Sequence, residues 1–414
     1  MKKIFITLLI LRSSLDIFTD IGVNLGPINL NIPSVLGILI LLLGGFYFTV
    51  KGKMELPIIA EWFGIWLLFL LLFSIPVSFF NFGEKGLIAL REWIRLTVVF
   101  VVLVMSYNLV SREKDVNQFL NAMFLSLPIP LFLGLYQLVT HTGWKDPLGI
   151  LRIYGTFAHP NQFAFFLVLF IGLAFWKWLV SKKKLLWGVL FFVQLTLLGA
   201  TFSFTGFVMV MVLFVGIILR MGKKVKVFAL FATILFAIAL VNTSQFQQRM
   251  DEIQRINIKE TLREKKIVDS FSWRIVNWHG LLSLWEKSPI QGYGLDTSVF
   301  INPLKKQGLG YDPHNDFIRY LVETGLVGLI FYLNFISLTA VSLYRNYFFV
   351  KDIETKYLLY MLVIIFVAWQ IGSLAGNVIG GTAFLFYFFA ITGIALKAIK
   401  KRELELAISR KEGE

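Results

Sequence analysis

The sequence contains no cysteine, only four histidines and few charged residues: Asp, Glu, Lys and Arg together make up 16% of its 414 positions. Without cysteine the chain has no disulfide bond and no thiolate metal site. About a quarter of the residues in a soluble domain are charged, so the low charged fraction argues against a soluble protein. Hydrophobic residues make up 57% of the chain, which is typical of an integral membrane protein.

Long apolar runs are spread along most of the chain, and IIAEWFGIWLLFLLLFSIPVSFF (58–80) is the clearest of them. A helix needs about 20 mostly apolar residues to cross a bilayer. The sequence therefore predicts an all-α polytopic membrane protein with about twelve transmembrane helices. The N-terminal run resembles a signal peptide, but no small-residue cleavage site follows it, so we interpret it as the first span. The predicted spans lie near residues 4–20, 30–50, 58–80, 90–110, 119–140, 161–180, 185–201, 204–220, 226–241, 317–344, 357–375 and 381–399.

Lysine and arginine are distributed unevenly between the predicted loops. Cytoplasmic loops of membrane proteins are enriched in these two residues. With the N-terminus in the cytoplasm, the predicted inner loops are basic, whereas the short outer loops at 19–30 and 376–380 carry no positive charge. The net charge of +15 is thus interpreted as a signal of membrane topology, and we expect no nucleic-acid partner.

The connection at residues 242–316 is predicted to lie outside the cytoplasm although it is basic. Long loops can be translocated despite their charge, and a loop of this length without secondary structure would be unusual. Residues 245–266 are typical of a polar helix and residues 271–288 of an amphipathic one. The predicted organisation is transmembrane helices 1 to 9 in residues 1–241, an extracytoplasmic cap with amphipathic helices in 242–316, transmembrane helices 10 to 12 in 317–399, and a basic cytoplasmic tail in 400–414.

His314 lies just before the predicted tenth span, in the stretch YDPHNDFIRYLVETGLVG (311–328). Asn315 and Asp316 are typical residues of a helix N-terminus. The start of a helix carries partial positive charge, which attracts anions and disfavours a charged imidazole. A neutral His314 beside an anion-binding site could therefore act as a general base. Alternatively, it is an interfacial histidine that is hydrogen-bonded within a turn.

Other basic and polar residues are predicted at the same outer ends of spans. Arg152, His159 and Asn161 lie at the start of the sixth span, Arg274 lies at the head of the amphipathic loop helix, and Arg91 and Arg95 lie one helical turn apart in the fourth span. Ionisable residues at membrane depth are costly and commonly mark a function. Snorkelling to the surface is the alternative for Arg91.

Three motifs lie in this part of the chain. They are GTFAHPNQFA (155–164), a block at 271–297 that contains Arg274, Trp278, Pro289, Gly292 and Gly294, and HNDFIRYLVETGLVG (314–328), which has His-Asn, nine residues and then Gly-x-x-Gly. In this order they resemble motifs of the O-antigen ligase and O-antigen polymerase superfamily, whose members are polytopic membrane glycosyltransferases. The resemblance covers about residues 150–330 by motif and the whole chain by topology, and it implies a GT-C-like fold.

The resemblance implies transfer of a glycan from an undecaprenyl-pyrophosphate carrier to a hydroxyl of lipid A-core or another glycan. The reaction would take place among membrane lipids, at the periplasmic or outer face of the bacterial cytoplasmic membrane, with inversion at the anomeric carbon. A base must take the proton of the acceptor hydroxyl, and arginines can stabilise the departing pyrophosphate. We therefore expect His314 and Arg274 to be catalytic, and Arg91, Arg95, Arg152, His159, Asn161 and Asn315 to bind substrate. The outer loop contains no Asp-x-Asp pair, and we expect neither a metal nor another cofactor.

One family feature is missing. Members often carry Ser-Arg before a small residue at the outer start of the eighth span, where this sequence has TFSFTGF, with Phe204 in place of the arginine. If that arginine holds phosphate, Arg91, Arg95, Arg152 or a loop arginine must do so here. A single dominant outer loop favours a ligase over a repeat-unit polymerase, which stays open. A lipid-linked oligosaccharide flippase is the alternative from another class, although no internal repeat typical of transporters is found.

Overall fold

The computed structural model describes residues 1–25, 28–52, 54–145, 149–255, 257–264, 267–310 and 312–411. Within these ranges the chain is mostly helical, and its strands form two short antiparallel pairs. The helices are α1 (Lys2–Leu15), α2 (Ile32–Lys51), α3 (Ile58–Phe69), α4 (Ile75–Phe82), α5 (Ile88–Leu109), α6 (Glu113–Leu125), α7 (Pro128–Val139), α8 (Pro160–Val180), α9 (Lys184–Ala200), α10 (Phe204–Arg220), α11 (Lys223–Val241), α12 (Ser244–Gln254), α13 (Ile258–Glu264), α14 (Ser270–Trp285), α15 (Ser298–Ile301), α16 (Asp316–Phe349), α17 (Ile353–Gly372) and α18 (Thr382–Lys411).

The strands and irregular helices lie between these elements. A π-helical segment, Leu70–Ser74, joins α3 to α4, and 3-10 turns occupy Asp16–Phe18, Gly83–Leu87 and Lys305–Gln307. Strands β1 (Gly22–Leu25) and β2 (Ile28–Asn31) pair with Val23 opposite Leu30, and β3 (Trp144–Lys145) pairs with β4 (Leu151–Arg152), with Trp144 opposite Arg152. The outer loop predicted at 19–30 thus contains a β-hairpin.

Seven described segments are long and apolar enough to cross a membrane by length and composition. They are Ile32–Lys51, Ile58–Leu109, Lys114–Val139, Pro160–Val180, Asp316–Phe349, Ile353–Gly372 and Thr382–Lys400, and the shorter α9 and α10 are also apolar. The all-α multi-pass character that the sequence predicts is therefore supported. Each of the twelve predicted spans contains a helix, but their number as membrane crossings stays a prediction.

Helices α8 and α18 form the centre of the bundle. From Phe163 to Trp176 every residue of α8 is buried, because this stretch is apolar on all sides and other helices surround it. The first half of α18 is equally apolar and packs along α5, where an added Cβ on Gly393 would meet the Leu103 carbonyl oxygen at 2.6 Å. The span predicted at 119–140 is interrupted, since α6 ends at Leu125 and Pro128 begins α7.

Within its described residues, 242–255, 257–264, 267–310 and 312–316, the connection contains four α-helices, α12 to α15. The polar helix predicted at 245–266 is two shorter helices, α12 and α13, while α14 matches the predicted amphipathic segment. Asp269 caps α14 by accepting hydrogen bonds from the backbone N–H groups of Phe271 (2.9 Å) and Ser272 (2.7 Å). The connection is therefore folded, although its location outside the cytoplasm stays a prediction. Helix α18 continues through the predicted basic tail to Lys411, and residues 412–414 lie outside the described part.

A turn of this cap fills a break in α16. The helix is interrupted at Gly325, where φ is 65° and ψ is −173°. Backbone hydrogen bonds across the break run from Leu326 N to Pro289 O (2.8 Å), from Tyr293 N to Val322 O (3.1 Å) and from Gly294 N to Glu323 O (2.7 Å). A Cβ on Gly325 or Gly292 would collide with the backbone of the facing segment. Gly292 of the second motif and Gly325 of the third thus allow the close backbone contact that joins the cap to the first part of α16.

Candidate functional site

Two groups of polar side chains lie near the start of α16, and the first is built around His314. This residue adopts a left-handed backbone conformation (φ 54°) in the turn before the helix. Trp278 of α14 donates a hydrogen bond to the Pro313 carbonyl (2.6 Å), and the Trp273 ring lies edge-to-face with the His314 ring at 5.2 Å. The cap helix α14 therefore sets the conformation of the turn and the plane of the imidazole.

The hydrogen bond of His314 fixes its tautomer. Its Nδ1 lies 2.9 Å from the Asp312 carbonyl oxygen. A carbonyl oxygen can only accept, so Nδ1 carries the proton and Nε2 of the neutral ring presents a lone pair. Burial, followed by the positive charge of Arg274, lowers the pKa of His314 to about 4. The side chain is thus a neutral proton acceptor at physiological pH.

His159 is the second imidazole of this group, which we call the His314 cluster: Arg152, His159, Asn161, Arg274 and His314. His159 caps α8, because its Nδ1 accepts a hydrogen bond from the Asn161 backbone N–H (3.1 Å). Nε2 therefore carries the proton in the neutral ring, the reverse of His314. Burial first, then the charge of Arg152 and the proximity of His314, lowers the pKa of His159 to about 4. The His314 ring is therefore near enough to disfavour the charged form of His159.

Arg152 lies beside the segment from which the family arginine is missing. Its Nε donates to the Thr201 carbonyl (2.8 Å) and its Nη2 donates to Asn161 Oδ1 (2.8 Å). The guanidinium carbon is 5.5 Å from the centre of the Trp144 ring. Thr201 is three residues before Phe204, so the positive charge of Arg152 lies next to the start of α10.

Arg274 projects from the first turns of α14. Its Nη1 donates to the Ser270 carbonyl (2.9 Å), and its guanidinium carbon lies 5.7 Å from the centre of the Phe271 ring. Phe271 in turn contacts Phe204 at 5.6 Å. The positive charge of Arg274 also contributes, after burial, to the lowered pKa of His314.

The second group is a buried ionic network that joins α5, α16 and the cap. Its members are Arg91, Glu92, Arg95, Asp296, Arg319 and Glu323. Arg319 Nη2 lies 2.7 Å from Asp296 Oδ1 and 3.3 Å from Glu92 Oε1, and its Nε is 3.3 Å from Glu323 Oε1. Because removing one partner leaves a charge buried without compensation, such networks are sensitive to single substitutions.

Arg91 and Arg95, two of the predicted substrate ligands, belong to this network. Arg95 pairs with Glu92 and donates to the Gly380 carbonyl (2.6 Å). Arg91 lies 3.2 Å from Asp296 and its side chain is 48% exposed. Burial, together with the nearby carboxylates Glu92 and Glu323 and against the effect of Arg319, raises the pKa of Asp296 to about 7. The hydrogen bonds of Arg91 and Arg95 therefore connect α5 to the cap and to the α17–α18 connection. Binding of substrate by either arginine stays a prediction.

Both polar groups of the Asn315 side chain are used within the protein. Its Oδ1 accepts from the Ile318 backbone N–H (3.0 Å), which caps α16 as predicted, and its Nδ2 donates to the Leu374 carbonyl (2.9 Å). The neighbouring Asp316 accepts from the Ser373 hydroxyl (2.6 Å) and the Ile379 backbone N–H (3.0 Å). The two residues anchor the His314 turn to the α17–α18 connection, and a substrate contact by Asn315 stays untested.

The sequence did not reveal Asp296 as a member of the site, nor the tertiary partners of Arg319 and Glu323. Arg319 and Glu323, one helical turn apart in α16, also pair with each other. A partial signal was available, since Glu92 and Glu323 lie with arginines at predicted outer ends of spans, whereas Asp296 lies within the 242–316 connection. Among the residues that the structure describes, no group of three or more His, Asp or Glu side chains could hold a metal ion.

Residues 189–333 match the family model described as O-antigen ligase. This region runs from α9 to the first half of α16 and contains Arg274 and His314, while the motif at 155–164 precedes it. No curated protein matches the chain. The family match over residues 189–333, together with three motifs in order and a multi-pass helical fold, supports the resemblance of the chain to the O-antigen ligase superfamily.

Proposed function

We propose that this protein is a membrane glycosyltransferase of the O-antigen ligase type. It transfers a glycan from undecaprenyl pyrophosphate to a hydroxyl of lipid A-core or another glycan, at the outer face of the bacterial cytoplasmic membrane. The observation that carries the proposal is the His314 cluster, where a neutral imidazole with an available Nε2 lone pair lies within the influence of Arg274. A proton acceptor beside a cation is the pair that this transfer needs.

The chemistry follows from these groups. His314 Nε2 removes the proton of the acceptor hydroxyl while that oxygen attacks the anomeric carbon. The bond between this carbon and the pyrophosphate oxygen breaks, and the electron pair stays on the phosphate. Direct displacement inverts the anomeric carbon. Arg274 and Arg152 stabilise the charge that grows on the leaving group. The protonated imidazole then releases its proton readily, because burial and Arg274 disfavour the charged form.

His159 has a different role in this scheme. Because the Nδ1 atom of His159 accepts the hydrogen bond from the Asn161 backbone N–H, the Nε2–H group on the other side of the ring can donate to a ligand. We infer that it donates a hydrogen bond to a phosphate or sugar oxygen. A neutral donor of this kind orients the substrate without adding charge.

An apolar groove of about 710 Å³ supports a lipid-linked donor. It lies between α10, α11, α12 and α17, and its outer end is formed by Phe204, Phe246 and Val241. Phe204 contacts Phe271, which is one helical turn from Arg274. A polyprenyl chain at the end of the groove formed by Phe204, Phe246 and Val241 would place its pyrophosphate beside Arg274 and Arg152.

A reconstituted assay separates the possible activities. Purified protein in proteoliposomes is given a fluorescent undecaprenyl-pyrophosphate glycan with either lipid A-core or lipid-linked repeat units as acceptor. Ligase activity predicts a labelled lipid A-core product, whereas a polymerase would lengthen the lipid-linked glycan. Movement of the donor between leaflets without transfer would contradict both and would indicate a flippase.

A further inference from the structure

Two cationic side chains contact one tyrosine at the C-terminal end of α10, the end away from Phe204 and the His314 cluster. Arg220, the last residue of α10, donates from Nε to the Tyr347 hydroxyl (3.2 Å), and its guanidinium carbon lies 6.0 Å from the centre of the Tyr347 ring. Lys356 of α17 lies 5.6 Å from the centre of the same ring. Three helices, α10, α16 and α17, therefore place two positive charges near the same tyrosine ring.

These charges are not compensated within the part of the chain that the structure describes, where neither Arg220 nor Lys356 has a carboxylate within 4.0 Å. The nearest acids in sequence on α17 have other roles. Glu354 pairs with Lys177 (3.2 Å), and Asp352 caps α17 by accepting from the Thr355 backbone N–H (2.8 Å). An anionic ligand beside the Tyr347 ring would be attracted by both positive charges.

The pair lies at the inner end of the apolar groove. Leu219, which precedes Arg220, and Tyr360, one helical turn after Lys356, both line the groove. The Tyr360 ring is 5.4 Å from the Tyr347 ring, and its hydroxyl donates to the Gly216 carbonyl (2.6 Å). The surface is thus apolar along the groove and cationic at its end, which matches the distribution of polarity in a phospholipid.

We propose that this end of the groove is a specific site for one anionic glycerophospholipid. Its phosphate lies between Arg220 and Lys356, and an acyl chain follows Val215, Leu219 and Ile364. The predicted topology places this end in the cytoplasmic leaflet, where basic pockets between helices recognise anionic headgroups. The 17 residues of α10 span roughly 25 Å, so the site is distinct from the His314 cluster at the other end and does not depend on glycan transfer.

Lipid selectivity of the purified full-length protein tests this site. Native mass spectrometry in mixed micelles would compare retention of phosphatidylglycerol with that of zwitterionic phosphatidylcholine. Since each Lys or Arg at such a surface contributes about fivefold to binding of an anionic lipid, we expect about a thirtyfold preference in the wild type. The Arg220→Gln/Lys356→Gln variant should lose most of this preference for the first bound lipid. The matched control, Lys182→Gln/Lys183→Gln, removes the same charge from the α8–α9 connection and should keep it.

Three results would overturn the proposal. Retained preference in the Arg220→Gln/Lys356→Gln variant would show that the headgroup binds elsewhere. An equal loss of lipid preference in the Lys182→Gln/Lys183→Gln control would show that the preference arises from general attraction to the basic residues at the predicted cytoplasmic side. Displacement of the retained phosphatidylglycerol by one undecaprenyl phosphate, with equal potency in both variants, would assign the whole groove to the donor chain. Circular dichroism and thermal unfolding of each variant verify that the fold is retained, and Val215→Phe provides an independent apolar perturbation that should weaken retention without changing charge.

Discussion

At the scale of the residue, the hydrogen bonds of two histidines give them complementary roles. His314 donates from Nδ1 to a carbonyl and so presents an acceptor at Nε2, whereas His159 accepts at Nδ1 and so presents a donor. Burial lowers the pKa of both to about 4. The motif pattern drew attention to these two histidines as candidates, but it could not predict their tautomers, because these depend on the partner that the folded backbone supplies.

Removal of Arg274 is expected to reduce transfer by about a hundredfold or more, the usual effect of losing one stabilising donor of this type. Arg274→Lys should recover part of the rate, because an ammonium keeps the charge without the planar fork that grips two phosphate oxygens. Arg255→Ala in the same cap is the matched control and should be nearly as active as the wild type, since this arginine is 82% exposed. Near-normal transfer by Arg274→Ala would show that Arg274 does not stabilise the leaving pyrophosphate, and Arg152 would be the next residue to test.

The pH dependence of transfer should depend on Arg274. The pKa of His314 is lowered to about 4, so the base is neutral above this pH and protonated below it. Loss of transfer attributable to His314 is therefore expected only as the pH falls through about 4. In Arg274→Gln the residual activity should be lost at a higher pH, since the charge that disfavours imidazolium is gone. If single-turnover measurements show that Arg274→Gln loses activity at the same acidic pH as the wild type, the assignment of His314 as the titrating group is contradicted.

At the scale of the element, α16 is held by interactions that distant segments supply. The apolar runs in the sequence indicated where the helices lie, and the capping pattern placed Asn315 at the N-terminus of α16, where it is the N-cap residue. The docking of the 289–294 turn into the break at Gly325, and the pairing of Arg319 with Asp296, could not be predicted, because both join residues far apart in the chain. Sequence patterns report local periodicity, whereas these contacts depend on tertiary packing.

Gly325→Ala should destabilise the protein more than an alanine at an open left-handed glycine. Both Gly325 and Gly308 have positive φ, 65° and 72°, but a Cβ would collide with the Ile290 backbone only at Gly325. The left-handed conformation alone costs about 1–2 kcal/mol for alanine. We expect Gly308→Ala to lower the unfolding temperature modestly and Gly325→Ala to lower it more and to reduce transfer. Equal thermal shifts would argue against tight docking of the turn.

Arg319→Ala should be among the most destabilising single substitutions, because it leaves Glu92, Asp296 and Glu323 buried without their shared cation. Breaking a buried pair of this kind costs about 3–5 kcal/mol. Thermal unfolding and expression of the purified variant measure the effect, with Arg255→Ala as the exposed control. A variant as stable as the wild type would show that the network does not hold the cap to α5 and α16.

At the scale of the whole molecule, the proposed transfer requires that the His314 cluster face the outside. Tags in the α8–α9 connection at Lys182, in the α10–α11 connection at Gly222 and at the C-terminus should report a cytoplasmic location, and a tag at Lys259 in α13 should report the outside. The physical reason is the excess of lysine and arginine in the predicted inner loops. A cytoplasmic tag at Lys259 would separate the cluster from its proposed substrates.

We propose that His314 is the general base of the transfer, and replacement of His314 by alanine tests this role most directly. Transfer from undecaprenyl-pyrophosphate glycan would be measured with purified His314→Ala, alongside donor binding and thermal unfolding, with the exposed His279→Ala as the matched control. We expect the variant to stay folded and to bind donor, while its transfer rate falls by about a hundredfold or more and the control stays active. Transfer by folded His314→Ala at more than about a tenth of the normal rate, less than the usual loss on removing a general base, would contradict the claim.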